Sequence, residues 1–301
     1  MSTIYTHQDA SVRKTWLIMS LFLVSVIAVG GVFAQAWQSS GVLYFAVVFA
    51  ILTNFFSYWY SDKLVLMMTH AKEVQKAQAP ELYRIVENLA ITAGLPTPKV
   101  YVINDPAPNA FATGRNAEHA VIAVTTGILT RLNKTELEGV LAHEFSHIGN
   151  KDMLVSTVTV VLVGFIALLS DMFLRWTWFG GSHRDNRDSR VQMIFMVIAI
   201  ALAILAPIIA TLFRLAVSRK REFLADASGA LLTRNPEGLA TALVKISQDP
   251  HELQTANHAT AHLFIANPFK NGGGTTSWLT KMFMTHPPIE ARVQALREMN
   301  I

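Results

Sequence analysis

Two histidines and the glutamate between them carry the strongest chemical signal in this sequence. His143, Glu144 and His147 form an H-E-x-x-H run. Residues four positions apart stand one above the other on a helix, so both imidazoles can point at one ion about 2.0 to 2.1 Å away. Glu144 projects to the side of this pair, where it can hold the hydrolytic water and take its proton. The run therefore predicts a metal-dependent hydrolase.

The sequence around the run predicts the helix that this spacing needs. Asn133 and Glu136 have the spacing of a capping box, in which each side chain bonds to the main chain of the other residue. Apolar residues then follow at helical spacing, namely Leu137, Val140, Leu141, Phe145 and Ile148. We therefore favour a metal site over two helix histidines with a structural role.

Glu222 is the best candidate for a third metal ligand. A catalytic zinc ion takes three protein ligands and keeps a fourth position open. Glu222 lies in a second predicted helix, residues 218–232, and Asp226 shares its face, where it can accept a hydrogen bond from a ligand imidazole. The alternative is an exposed helix in which Glu222 pairs with the three basic residues before it. Since the chain has no cysteine, histidines and carboxylates must form the site, and we predict one Zn²⁺ per chain.

A second pair of histidines has the same spacing without the chemistry. His258 and His262 are separated by Ala, Thr and Ala, so no carboxylate between them is available as a base. We favour a surface or packing role for this pair.

The composition indicates a membrane protein. Hydrophobic residues make up 51% of the 301 residues and charged residues 15%, against about a quarter in ordinary soluble domains. Four apolar stretches approach the length of about 20 residues that a helix needs to cross a hydrocarbon core. These are residues 16–33, 43–60, 153–173 and 191–213. The net charge of +4 is mild and the basic residues lie beside these stretches, so no nucleic-acid partner is expected.

The fold class follows from these stretches and from the segments between them. We predict a mostly α-helical membrane protein with a small mixed α/β protease domain and about four transmembrane helices. Residues 1–60 would form a transmembrane hairpin, 61–152 the first part of the protease domain, 153–215 a second hairpin and 216–301 the part with the third ligand. Within residues 61–152, a helix from Pro80 to Gly94 precedes three short strands. The strands are predicted at Lys99–Ile103, Ala110–Thr113 and 120–124.

The charges around the first hairpin predict its orientation. Arg13, Lys14 and Lys63 flank its outer ends, while the connector 34–41 carries no charge, so both ends are expected in the cytoplasm.

The second hairpin presents a conflict between geometry and charge. His147 and Glu222 can share an ion only if the chain returns to the side of the membrane that it left. The loop at 175–190 then lies outside despite its four arginines, against the positive-inside bias. The alternative is a hairpin that dips into the bilayer without crossing it.

Together these motifs resemble the HtpX-type membrane zinc metalloproteases, relatives of the integral-membrane prenyl-protein proteases, and the likeness covers essentially the whole chain. The matching residues are the run from His143 to His147, Glu222 with Asp226, the run from Thr285 to Arg292, and Asn109-Ala110-Phe111-Ala112. The resemblance implies a gluzincin-like fold in which the two histidines and Glu222 bind zinc. It also implies a bacterial inner-membrane protease that cleaves damaged membrane proteins.

The resemblance assigns further roles near the site. It implies an edge strand with which the substrate pairs, made of Asn109, Ala110, Phe111 and Ala112. His286 and Arg292 would lie close by, where they steady either the oxyanion or the helix of Glu222 and Asp226. From the residues alone, the two prolines after His286 indicate only the start of a helix.

The position of the run beside an apolar stretch predicts the substrates. His147 is six residues before residue 153, which is about 9 Å of helix. The site would therefore open at the bilayer surface on the cytoplasmic side, and its substrates would be membrane proteins or unfolded cytoplasmic segments.

Two other classes of protein fit parts of the sequence. A site-2-type intramembrane protease also uses H-E-x-x-H but places it inside an apolar span, whereas Lys134, Glu136, Glu138 and Lys151 surround it here. A membrane scaffold or chaperone with a structural zinc is the second alternative. Because every catalytic position is occupied, we favour an enzyme.

Overall fold

The computed structural model describes residues 4–36, 38–179, 219–256, 260–266 and 287–300. In these ranges the protein is mostly helical and contains one small sheet.

Two long helices form an N-terminal hairpin. Helix α1 spans Ile4–Ala36 and α2 spans Ser40–Trp59. The segments Asp9–Gln35 and Ser40–Trp59 are long and apolar enough to cross a membrane. Gly30 lets the two helices approach closely, because a methyl group there would overlap Ala46. The first two predicted spans are thus confirmed as helices of suitable length and composition.

The outer surface of α2 is apolar and partly aromatic. Its large exposed apolar and aromatic side chains are Tyr44, Phe45, Val48, Ile51, Leu52, Phe55, Phe56 and Trp59. Soluble proteins rarely expose a continuous apolar surface of this kind, so lipid is its expected environment.

The third predicted span lies within α7, which covers Asp152–Phe179. Up to Ile166 its side chains are mostly buried and pack against α1, α2 and the short helix α3 at Ser61–Met68. Helix α7 leaves α6, Lys134–Gly149, at an angle of 85°. The described residues hold two candidate spans, or three if this bent pair is one broken span. The fourth predicted stretch, 191–213, lies outside the described residues, so a count of four stays a prediction.

The sheet has four strands in the order β1-β2-β4-β3. Their bounds are Lys72–Glu73 for β1, Lys99–Ile103 for β2, Ala110–Thr113 for β3 and Val121–Thr125 for β4. Strands β2 and β4 are parallel, and β3 runs antiparallel to β4 at one edge. The strand predicted at 120–124 begins one residue later, because Ala120 ends a 3-10 turn at Ala117–His119.

The sheet separates two apolar cores. Val100 and Ile122 contribute to a core with α6 and α4, Pro80–Ala93. Ile103 and Ala123 point to the opposite face and pack with α1 and α7. The sheet therefore lies between the helices of the predicted protease domain and the membrane helices. The division at residues 60, 152 and 215 stays a prediction.

Helices later in the chain complete the structure around α6. Their bounds are Arg219–Thr233 for α8, Pro236–Gln248 for α9 and Ile289–Arg297 for α10, while the short α5 at Thr126–Arg131 follows β4. Helix α6 packs closely against α8 and α9. A methyl group on Gly229 of α8 would lie 2.8 Å from the main-chain nitrogen of His143. One on Gly139 of α6 would lie 2.6 Å from the main-chain nitrogen of Leu239. Glycine at both positions is what allows this close approach.

Candidate metal centre

The helix that carries H-E-x-x-H begins as the sequence predicts. Asn133 Oδ1 accepts the N–H of Glu136 at 2.9 Å, and Glu136 Oε2 accepts the N–H of Asn133 at 2.9 Å. The buried Glu136 carboxylate also accepts a hydrogen bond from Lys245 of α9 at 2.8 Å. The two capping bonds fix the start of α6, and the Lys245 bond joins it to α9.

Three side chains proposed as ligands converge on one point. His143 Nε2 and His147 Nε2 are 3.2 Å apart, and each lies 3.8 Å from a carboxylate oxygen of Glu222. One ligand atom from each residue can be chosen so that all three lie within 4.8 Å of one another. His143 and Glu222 are buried, whereas the His147 side chain is 17% exposed. The cluster is therefore accessible on the side of His147.

Asp226 contacts the ring nitrogen of His143 that points away from the cluster, and Arg292 holds Asp226. His143 Nδ1 lies 2.9 Å from Asp226 Oδ1. The buried Arg292 donates two hydrogen bonds to the Asp226 carboxylate, at 2.8 and 2.7 Å. Burial alone would raise the pKa of Asp226, but the charge and hydrogen bonds of Arg292 lower that pKa to about 2. The resulting carboxylate favours a proton on Nδ1 of His143 and leaves the Nε2 lone pair directed at the cluster.

Asp152 faces the corresponding nitrogen of His147 at a longer distance, and sequence reasoning missed it. Its Oδ2 lies 3.6 Å from His147 Nδ1, while its Oδ1 accepts hydrogen bonds from Ser11 of α1 at 2.8 Å and from Arg221 of α8 at 3.3 Å. The chain turns at Lys151, whose φ is +57°, and this turn brings Asp152 back toward His147. The sequence signal that could have identified it is a carboxylate five residues after the second histidine of the run.

Glu144 is buried beside the three convergent groups. The backbone N–H of Ala112 in β3 is close enough to its carboxylate to lower the pKa of that group. Burial raises the pKa of Glu144 above its usual range, and the charge of Glu222 adds to this, although His143, His147 and the Ala112 N–H oppose it. A carboxyl with a raised pKa is suited to accept and return a proton near neutral pH.

His147 lies among negative charges. Burial alone would lower its pKa, but the nearby Asp152 carboxylate and the charges of Glu222 and Glu144 outweigh burial and raise the pKa to about 9. A cation is therefore favoured at this point, either a proton on His147 or a metal ion that displaces it.

The strand predicted to pair with substrate, β3, lies at the edge of the sheet. Part of its outer side is bonded to a later segment of the same chain. Among the residues that the structure describes, strand β3 pairs with one strand, β4. On its other side, Ala110 O accepts the N–H of Ile265 at 3.1 Å. The Asn109 amide bonds to the main chain of Ala266, with Nδ2 donating at 3.2 Å and Oδ1 accepting at 3.4 Å. Substrate pairing with Asn109, Ala110, Phe111 and Ala112 stays a prediction.

Three further histidines were considered in the sequence, and the structure describes one of them, His262. His286 and His258 lie outside the described residues, so the role predicted for His286 stays a prediction. His262 is buried, and its Nε2 lies 3.3 Å from the main-chain oxygen of Ser156 in α7. This contact agrees with the packing role predicted for His262.

The residues present fit a divalent metal ion. Two nitrogens bound at about 2.0 to 2.1 Å by one tetrahedral ion lie about 3.3 Å apart, close to the 3.2 Å between the two imidazoles. Each imidazole has a carboxylate against its other nitrogen, an arrangement typical of metal-bound histidines.

Membrane-type helices, a two-histidine and one-glutamate cluster and a buried glutamate beside it define a class, the membrane metallopeptidases. Comparison with known proteins agrees with this class. The model of Peptidase family M48 matches residues 76–300. Curated relatives named Protease HtpX homolog are 45% identical in Caldanaerobacter subterraneus (99% of each chain) and 44% in Lactobacillus helveticus (98% of this chain, 100% of the relative). The chain therefore belongs to peptidase family M48, as an HtpX-type membrane protease.

One solved structure is also similar. The crystal structure of S. mikatae Ste24p aligns with 94% of this chain and 66% of its own, at 20% sequence identity and a TM-score of 0.49.

Proposed function

We propose that this protein is a zinc endopeptidase in which His143, His147 and Glu222 hold the metal and Glu144 is the general base. The convergence of these three ligand groups beside a buried Glu144 carries the proposal. Zinc is favoured because two imidazole nitrogens and one carboxylate are a common ligand set of catalytic zinc sites.

The chain's own residues account for the proton transfers of peptide hydrolysis. When bound, the metal supplies a Lewis acid for the scissile carbonyl and lowers the pKa of water near it. Glu144 accepts a proton from the attacking water and passes it to the leaving amine. Its burial restricts the side chain to one place, and its raised pKa suits the carboxyl group to both transfers. Asp226 and Asp152 orient the two imidazoles, and His286 would assist at the oxyanion.

The placement of the site supports membrane-protein substrates. Helix α6 ends where α7 begins, and α7 packs against both helices of the N-terminal hairpin. Basic residues at the outer ends of that hairpin favour the cytoplasmic side of a bacterial inner membrane. We propose that the enzyme cleaves damaged membrane proteins or their unfolded cytoplasmic segments, as part of membrane-protein quality control, with the lipid bilayer and no nucleic acid as its partner.

Metal analysis combined with cleavage tests the proposed chemistry. The purified full chain is expected to contain one zinc per chain and to cleave β-casein. Glu144→Gln should retain the zinc and lose cleavage, whereas Glu222→Ala should lose both. Unchanged cleavage in Glu144→Gln would remove Glu144 from the mechanism, and full zinc content in Glu222→Ala would remove Glu222 from the ligand set.

A separate comparison tests the substrate class. In proteoliposomes, casein fused to a membrane anchor should be cleaved faster than free casein. Equal rates would contradict the preference for membrane substrates without affecting the assignment of the metal centre.

A further inference from the structure

The outer edge of β3 offers main-chain groups that β4 does not use. Thr125 N–H of β4 bonds to Asn109 O, and Phe111 lies opposite Ala123 in the same antiparallel register. Bonding alternates along such a pair, so the main-chain groups of Ala110 and Ala112 point away from β4. Strand β3 packs against α6, and the backbone of Ala112 is close enough to the Glu144 carboxylate to lower its pKa, so this edge lies beside the proposed general base.

Two consecutive residues of the same chain occupy that edge. Ile265 donates its N–H to Ala110 O at 3.1 Å, and its C=O accepts a hydrogen bond from Arg292 Nη1 at 3.0 Å. Ala266 bonds to the Asn109 amide through both its N–H, at 3.4 Å, and its C=O, at 3.2 Å. All four main-chain polar groups of Ile265 and Ala266 are thus engaged at the candidate site.

These contacts are those with which an extended peptide is recognised. They involve main-chain atoms of the bound segment, so they do not depend on its sequence and would fit another extended chain equally well. Arg292 is also fixed independently, since its other nitrogens hold Asp226, which contacts His143. Its Nη1 therefore remains in position to bind a different carbonyl.

Side-chain packing holds the segment in place. The ring of Phe264 packs edge-to-face against Phe111 of β3, with ring centres 5.3 Å apart. Phe264, Ile265 and Ala266 are all buried. The segment is therefore seated along the edge and is not a loose loop beside it.

We propose that residues 264–266 form an internal competitor that must leave the β3 edge before a substrate can pair with it. This inference rests on the proposed function, because it concerns access to the same site. A protein that binds its ligand only when the edge is open has an apparent affinity reduced in proportion to the open fraction. An edge open in one molecule in ten would weaken apparent substrate binding about tenfold.

Hydrogen exchange tests whether the segment leaves. We would load the full-length Glu144→Gln variant with zinc in nanodiscs and follow exchange across 260–266 with and without β-casein. The amides of Ile265 and Ala266 should exchange slowly at first and faster once casein binds. Casein binding, measured by fluorescence anisotropy, with undiminished protection of these amides would overturn the proposal.

A matched pair of substitutions at Ile265 gives a second readout. Ile265→Pro removes the N–H that bonds to Ala110, and Phe264 already has the extended conformation, φ −75° and ψ 143°, that a residue before proline adopts. Ile265→Val keeps the N–H and the branched shape. Ile265→Pro should lower the casein KM by about threefold or more, as expected for a larger open fraction. Ile265→Val should keep the wild-type KM.

The outcomes separate this inference from the proposed function. Thermal unfolding curves would first establish that both Ile265 variants are folded. If both then bind zinc and cleave casein with equal KM, the internal competitor alone is overturned. If the wild-type protein contained no zinc and cleaved no casein, the proposed function would be overturned instead. If casein binds the Ile265→Pro form of the Glu144→Gln protein and not its Ile265→Val form, the competitor is supported even without cleavage.

Discussion

Each candidate ligand histidine has a carboxylate behind it, and each carboxylate is tied to a different part of the chain. Asp226 is bonded to Arg292 near the C-terminal end, whereas Asp152 is bonded to Ser11 of α1 and to Arg221 of α8. Such partners fix the tautomer and direction of a metal-binding imidazole. The geometry of His147 therefore depends on a membrane helix.

Asp152→Asn is expected to weaken metal binding about 10- to 100-fold, because the amide cannot stabilise the His147 ring as a carboxylate does. Zinc affinity measured by chelator competition checks this. Asp9→Asn is the control, since Asp9 is an exposed acidic residue of the same α1 helix that carries Ser11. Equal affinity in the two variants would show that Asp152 does not position His147.

The pKa of His147 leads to a pH dependence that differs between the metal-free and the metal-bound protein. Its pKa of about 9 in the folded chain exceeds the usual 6.5. In the metal-free protein, protonated His147 therefore contributes stability that is complete below pH 6.5 and is lost as the pH rises through 9. Thermal unfolding of the metal-free protein should show a melting temperature that falls between pH 6.5 and 9.

Metal and mutation provide the controls for this pH dependence. Zinc needs the neutral imidazole, so zinc-loaded protein should not lose stability in this range. His147→Gln should remove the decline from the metal-free protein. A decline of the same size in His147→Gln would assign it to another group.

At the scale of elements, the centre depends on how closely α6 and α8 approach. Gly229 faces the main chain of Ala142 and His143. It lies seven residues, about two turns, after Glu222 on the same helix and so on the same face. The spacing of the two helices therefore sets the distance between Glu222 and the histidines.

Gly229→Ala is expected to push α8 away from α6. The added methyl group would meet the His143 nitrogen at 2.8 Å, and main-chain atoms cannot rotate aside. We expect a destabilisation of about 1 to 3 kcal/mol, together with weaker zinc binding because Glu222 moves with its helix. Urea unfolding and chelator competition measure the two effects.

Gly164→Ala in α7 is the matched control for this substitution. The nearest atom to its new methyl group is the flexible end of Met68 at 3.8 Å, an ordinary contact. Both variants gain the same helix-favouring residue, so only the close approach differs. Similar stability and metal affinity in the two variants would contradict the spacing argument.

Sequence reasoning succeeded where the signal is local to one element. The cap at Asn133, the helix of His143 and His147 and the strands β2 and β3 follow from spacing over a few residues, and the structure has them within one residue or so. Each of these features is set by bonds or packing within the element itself.

Contacts between distant segments were not predictable in the same way. The bond between Asn109 and Ala266 joins residues 157 positions apart, and that between Ser11 and Asp152 joins residues 141 apart. No periodicity indicates such pairs, because they depend on how whole elements pack. The sequence could suggest an edge strand but not the segment that occupies it.

At the scale of the whole molecule, the N-terminal hairpin is part of the core and not an appended anchor. Phe22 of α1 is fully buried in one cluster with Phe111 of β3, Val155 of α7 and Phe264. That cluster contains both the edge strand and the segment seated on it. Loss of packing in α1 should therefore be felt at the site.

Phe22→Ala is expected to destabilise the whole protein by about 3 to 5 kcal/mol, the usual cost of removing a buried phenylalanine. Val24→Ala on the same helix is the control, since Val24 is 63% exposed within the protein and its loss should change stability by about 0.5 kcal/mol or less. Unfolding of both variants in nanodiscs, followed by hydrogen exchange in α1 and α6 separately, gives the measurement. If α1 and α6 are one cooperative unit, exchange should accelerate in both helices of Phe22→Ala and in neither helix of Val24→Ala. Acceleration confined to α1 would mean that the membrane hairpin and the metal centre unfold independently, and that the Ser11–Asp152 bond does not couple them.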